Sequence, residues 1–147
     1  MKSASLKRTK RVKLQVDTEI NFKLIGISSH ENDYRLVWAI NNQLQMQFVR
    51  TDNLVIHDRL GTELGFSRFV YYDEDRYLTY KLISNRCPDG FLFQEIRNFD
   101  FIMQVTKEMT DTEIKGFIKK LKAVEVISAS FLLDPEKFKG LRDILQE

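Results

Sequence analysis

Cysteine is almost absent: Cys87 is the one cysteine in 147 residues. That excludes an internal disulfide framework and a cysteine metal cluster. Proline occurs twice and glycine six times, with no low-complexity linker between them and no internal repeat. No run of 18 apolar residues exists, so no segment reads as a membrane-spanning helix. The motif search is equally sparse. GxGxxG, GxxxxGK[ST], CxxC and GxSxG are all missing. His30-Glu31-Asn32-Asp33-Tyr34 opens like a zinc-protease helix but has Tyr34 where the second histidine must stand. Asp73-Glu74-Asp75 opens like a calcium loop, yet Leu78 replaces the glycine and Ser84 the bidentate glutamate. No metal and no cofactor is expected.

What is present is an ordinary globular composition, 43% hydrophobic and 30% charged. A chain of this length can bury roughly 70% of its unfolded surface and fold without staples. Charge is unevenly placed. Residues 1–13 hold six Lys and Arg and no acid, leaving 17 Lys and Arg against 21 Asp and Glu in the remainder. The net +2 therefore reads as a basic arm, residues 1–13, on a mildly acidic domain, residues 14–147. Val12–Val16 is broken by Lys13 and Gln15, so it lacks the apolar core of a secretory signal. No lipidation signature is visible. The expected compartment is the cytoplasm, which suits a lone reduced thiol.

Periodicity orders the elements. Val12, Leu14 and Val16 alternate as a short strand, and Asp17 or Thr18 is placed to cap a helix over Ile20–Ile27. Ser28 and Glu31 have capping-box spacing for a second helix. Tyr34, Val37, Trp38, Asn41 and Leu44 then form one helical stripe, expected to face the core. Short strands follow at Phe48–Thr51 and Leu54–Ile56. Phe66–Tyr72 and Tyr77–Ser84 make a hairpin. Pro88-Asp89-Gly90 is a turn, after which Phe91–Glu95 continues the meander. Phe99 to Val105 alternates as a strand with one apolar face. Thr110-Asp111-Thr112-Glu113 is a capping box for a helix burying Ile114, Phe117, Ile118 and Leu121. Val124–Leu133 reads as a last strand, and Asp134-Pro135 starts a final helix docked by Phe138, Leu141 and Leu145. Helices early and strands gathered in the middle specify an α+β fold. Its mostly antiparallel sheet has about five strands, with N-terminal helices and a late helix packed on it.

Chemistry-bearing residues are few. Cys87 follows Arg86, which can lower a thiol pKa, but no base or oxyanion site accompanies it. Phe66, Phe69, Tyr71, Tyr72, Tyr77 and Tyr80 lie on adjacent strands near Arg68, Arg76 and Lys81. Aromatics so placed either stack bases or pair across strands; cross-strand packing is the expectation. The basic residues Lys7, Arg8, Lys10, Arg11, Lys115, Lys119 and Lys120 are the candidate contacts for an anion or nucleic acid.

Residues 25–41 (Ile25-Gly26-Ile27-Ser28-Ser29-His30-Glu31-Asn32-Asp33-Tyr34-Arg35-Leu36-Val37-Trp38-Ala39-Ile40-Asn41) resemble the N-terminal signature of the bacterial IPExxxVDY family. Leu82-Ile83-Ser84-Asn85-Arg86 with Gly90-Phe91-Leu92 is similar to its middle segment. The naming motif falls on Phe93 to Phe101, where Glu95 and Asp100 keep the named letters and Phe93 and Gln94 depart from Ile and Pro. The resemblance covers most of residues 14–135. It implies a small, single-domain cytoplasmic protein and carries no activity with it. Its matched segments mark His30, Asp33, Arg35, Asn85, Arg86, Glu95 and Asp100 as a candidate polar site, with Arg35 or Arg86 opposite Glu95 or Asp100. The alternative role for these residues is caps and ion pairs. Function is expected to be that of a non-enzymatic interaction or accessory module with an unknown protein partner. Nucleic-acid binding through the arm and the 115–122 lysine face stands second. An enzyme using Glu95 and Asp100 as an acid/base pair stands third.

Overall fold

The computed structural model describes residues 22–145. The basic arm, the Val12–Val16 strand and the Asp17 or Thr18 cap lie outside the described residues. The order is β1 (Phe22–Ser28), α1 (Asp33–Leu44), β2 (Val49–His57), β3 (Glu63–Asp73), β4 (Leu78–Ser84), β5 (Arg86–Cys87), β6 (Gly90–Phe91), β7 (Phe101–Thr106), α2 (Asp111–Lys122), β8 (Ala129–Leu133) and α3 (Lys139–Leu145). Short 3₁₀ turns occupy Gln94–Ile96 and Pro135–Lys137. Six strands form one antiparallel sheet in the order β2-β3-β4-β7-β1-β8, and β5 with β6 makes a separate two-stranded pair. The fold is α+β with a mostly antiparallel sheet, one strand larger than expected.

The helix expected over Ile20–Ile27 is β1 instead. Its apolar run is continuous because β1 lies between β7 and β8 and is buried on both faces. Such a strand loses the alternation that marks a half-buried one. β7 behaves the same way: Phe101 to Val105 are all buried, so the expected single apolar face is in fact two. Phe101, Met103 and Val105 join Ile25, Ile27 and Leu82 beneath α1 and α2. Ile102 joins Leu24, Phe66 and Ile83 on the opposite face, beneath Leu92, Ile96, Phe99 and α3. Gln104 also points to that second face, where its Nε2 donates to the Leu145 carbonyl at 3.1 Å and ties α3 to the sheet.

Several boundaries move. Asn32, not Ser28, caps α1: its Oδ1 accepts the Arg35 N–H at 2.9 Å. Ser28 ends β1, and its hydroxyl donates to the Asn98 carbonyl. The buried side of α1 is Leu36, Val37, Ala39 and Ile40, leaving Tyr34 and Trp38 62% and 65% exposed rather than in the core. Both stripes have helical spacing and share Val37, so periodicity could not choose between them. The two strands expected at 48–56 are one strand, β2, with a register shift between Thr51 and Leu54. The continuation over Phe91–Glu95 is a two-residue strand followed by a 3₁₀ turn. The last strand starts at Ala129, because Val124 and Ile127 bury in a turn after α2. The final helix is split into the Pro135–Lys137 turn, capped by Asp134, and α3.

The hairpin aromatics divide. Phe66, Phe69 and Tyr80 are buried, Tyr71 stacks on Tyr80 at 5.5 Å, and Tyr72 and Tyr77 are exposed. Burial raises the pKa of both tyrosines.

Two features yield predictions. A Cβ at Gly26 would sit 2.8 Å from the Phe99 ring carbons, so Gly26→Ala should lose about 1–3 kcal/mol of stability in urea denaturation through overpacking. The capping box of α2 is complete: Thr110 Oγ1 accepts the Glu113 N–H, and Glu113 Oε1 accepts the Thr110 N–H. That backbone bond, with Arg76 beside it, holds the Glu113 carboxyl below its ordinary pKa. Its stabilisation is present above the unfolded carboxyl pKa and is lost as pH falls through the depressed folded value. Glu113→Gln should therefore lower the unfolding midpoint at neutral pH, with the gap to the parent closing in acid.

Candidate functional site

A cleft of about 520 Å³ opens where the N-terminus of α1 meets the ends of β3, β4 and β7. Asp33, Arg86 and Asp100 line it, and so do Arg50, Asn53, Ser67 and Cys87. Three of the seven expected site residues are therefore brought together. His30 and Arg35 line a separate cleft of about 410 Å³, walled by Glu125 to Ser128. Glu95 is exposed on its 3₁₀ turn and lines neither cleft. The imagined Glu95–Asp100 pair thus does not share either cleft. The 3₁₀ turn that carries Glu95 ends before β7, and Asp100 immediately precedes that strand.

Asp100 is the bolt of the first cleft. One carboxylate oxygen accepts the Ser29 N–H at 2.7 Å, and the other pairs with Arg86 Nη2 at 2.6 Å. Its backbone N–H donates to the Ile27 carbonyl, and its carbonyl accepts the Asn85 N–H. One residue therefore ties the ends of β1, β4 and β5. Arg86 opposes Asp100, not Glu95.

Asn85 is fully buried and structural. Its Nδ2 donates to the Ile96 and Phe99 carbonyls at 3.1 and 3.0 Å, while its Oδ1 accepts the Phe93 N–H at 2.9 Å. An irregular segment can be buried only when its backbone groups find partners. Asn85 supplies three of them from one side chain.

Arg50 was not singled out by the sequence. Its Nη1 donates to the Tyr34 hydroxyl at 3.0 Å and its Nη2 to Asn53 Oδ1 at 2.6 Å. Its guanidinium lies 5.8 Å from the Tyr34 ring centroid and 5.5 Å from that of Phe69. Tyr34 and Phe69 meet edge-on at 5.8 Å. These contacts follow from the Arg50–Phe69 register of β2 with β3, and no local sequence signal announces them. Asn41 fixes the other end of α1 to the same strand region: its amide donates to the Phe48 carbonyl and accepts the Phe48 N–H. Trp38 lies on the helical stripe between these two anchors.

Among the described residues, neither histidine lines the cleft that holds Cys87, Ser67 and Ser84, so those nucleophiles have no imidazole partner. No group of three or more His, Cys, Asp or Glu is placed to hold a metal ion among the described residues. Among the described residues no helix is long and apolar enough to cross a membrane. Lys115, Lys119 and Lys120 are exposed on α2, whose first turn carries Asp111 and Glu113. Lys7, Arg8, Lys10 and Arg11 lie outside the described residues.

Replacing Asn85 by Ala would leave the Phe99 carbonyl and the Phe93 N–H without a partner, while the Ile96 carbonyl keeps the Phe99 N–H. Stability should fall by roughly 2–4 kcal/mol in urea denaturation. Arg86→Ala removes a half-exposed guanidinium and leaves Asp100, whose side chain is 15% exposed, with the Ser29 N–H; it should cost about 1–2 kcal/mol, so a loss equal to or above that of Asn85→Ala would contradict these assignments.

No protein-family model and no curated protein matches the chain, so the chemistry of the cleft is read from its own residues.

Proposed function

We propose that this chain is a cytoplasmic, non-enzymatic interaction module. It engages a protein partner across the surface formed by α1 and the outer strand β2. The observation that carries this reading is the exposure of Trp38 and Tyr34, one turn apart on α1, beside an arginine held rigid by Tyr34, Phe69 and Asn53. Trp, Tyr and Arg are the residue types that dominate binding hot spots. Here Tyr34 and Arg50 are oriented in advance by their mutual hydrogen bond, which lowers the entropy cost of association. Large aromatics left exposed on a helix that buries Leu36 and Ile40 beneath it do not serve the core.

Two observations weigh against the other readings. The cleft's Cys87, Ser67 and Ser84 have no imidazole beside them to serve as base. The lysines of α2 share their helix with Asp111 and Glu113. The described part of that face therefore has mixed charge, unlike a track for a phosphate backbone.

A photo-cross-linking side chain placed at Asn42, exposed one turn beyond Trp38 on α1, tests the proposal with the full chain in a native extract. It should give a discrete adduct that unlabelled parent protein competes away and the Trp38→Ala variant does not. The same cross-linker at Tyr77, an exposed aromatic on the β3–β4 hairpin, should not form it. No adduct from position 42, or identical adducts from both positions, would refute the assignment.

A further inference from the structure

The register shift in β2 shapes one wall of the cleft between α1 and the strand ends. Asp52 and Asn53 stand opposite the single residue Ser67 of β3. An extra residue of this kind bends its strand and re-aims a side chain. Here Asn53 lines the cleft and its Oδ1 accepts Arg50 Nη2 at 2.6 Å. Gly65 leaves the space for it, since a Cβ there would lie 3.2 Å from Asn53 Nδ2. The other contacts of Arg50 are also neutral: the Tyr34 hydroxyl and the Phe69 ring. A guanidinium has five N–H donors, and these bonds use two of them. Among the described residues no carboxylate pairs with Arg50. Arg86, the other arginine of the cleft, is neutralised by Asp100 at 2.6 Å.

Arg50 is thus a fixed cation without a counter-ion. A plain anion does not suit this cleft, because Glu31 and Asp33 line it as well. Glu31 reaches Arg35 at 4.0 Å. Asp33 pairs with no cation among the described residues, and its Oδ1 accepts only the Tyr34 N–H, at 2.7 Å. Tyr34 therefore anchors both charges, Asp33 through its backbone and Arg50 through its hydroxyl. With the internal pairs set aside, one cation and one anion remain on the same wall. A ligand that satisfies both carries a carboxylate and an ammonium close together. The volume of about 520 Å³ leaves room for a side chain beyond that head and falls in the usual range of small-molecule sites. We infer that the cleft binds a free α-amino acid, its carboxylate on Arg50 and its ammonium on Asp33.

Titration of the isotope-labelled full chain with each of the common amino acids, followed by NMR, tests this. At least one should saturate at millimolar concentration and shift the amides of Asn53 and Ser67 while leaving Tyr77, on the distant hairpin turn, unmoved. Its N-acetyl derivative lacks the ammonium and its amide lacks the carboxylate, so each should bind about tenfold more weakly or worse. Arg50→Gln and Asp33→Asn should each weaken binding by about the same factor. Arg50→Lys keeps the charge but loses the planar fork, and should recover only part of it. Asp33→Asn preserves the shape and the Tyr34 contact, so its result stands even if Arg50→Gln unfolds the chain. Saturation by none of the amino acids overturns the proposal, as does equal binding of the acetylated form or an affinity indifferent to Asp33→Asn. Inorganic phosphate binding as tightly would make this a simple anion site and would also refute the assignment.

Discussion

A sheet that is buried on both faces governs this structure. β1 and β7 have almost no exposed side chain, so each face needs a cover. On one side the cover is regular: α1 and α2 lay Leu36, Ile40, Ile114, Phe117 and Leu121 onto the strands. On the other side there is too little helix. α3 is short, and the rest is irregular chain from Leu92 to Phe99. Burying irregular backbone is costly unless every polar group is satisfied. The fold meets that demand with one side chain, Asn85, and with Asp100 at the start of β7. Gly26 completes the arrangement, since only a residue without Cβ lets the Phe99 ring lie on β1.

That constraint explains why residues suggestive of a polar site turn out to have divided roles. Asn85 and Asp100 hold the second face in place. Arg86 reaches Asp100 from the solvent side and screens a carboxylate that also receives the Ser29 N–H. His30 and Arg35 belong to a different cleft, and Glu95 to none of those near α1. Large apolar side chains are left exposed instead where the core stops. The flanks of the sheet, β2 with α1 on one side and β8 with α2 on the other, carry Tyr34, Trp38, Phe131 and Leu132 half exposed or more.

Elements set by local chemistry were legible from sequence. The capping box at Thr110, the polar turn between β3 and β4, the Pro88-Asp89-Gly90 turn and the stripe of α2 involve residues within a few positions of each other. The α+β class followed from their order. Where two readings shared one local pattern, sequence could not separate them. β1 has a run too apolar for alternation, and α1 has two overlapping stripes that both contain Val37.

By itself, then, the sequence determined which segments turn, where α2 begins, and that hydrophobic residues suffice for one core. These depend on short-range backbone and capping energetics. Tertiary structure alone decided that β1 is a strand and that Trp38 faces outward. It also decided that Arg50 meets Tyr34 and that Asp100 joins Arg86. Each of those outcomes is set by which side of an element the sheet covers and by pairing between residues distant along the chain. Neither quantity is encoded in the spacing of neighbouring residues.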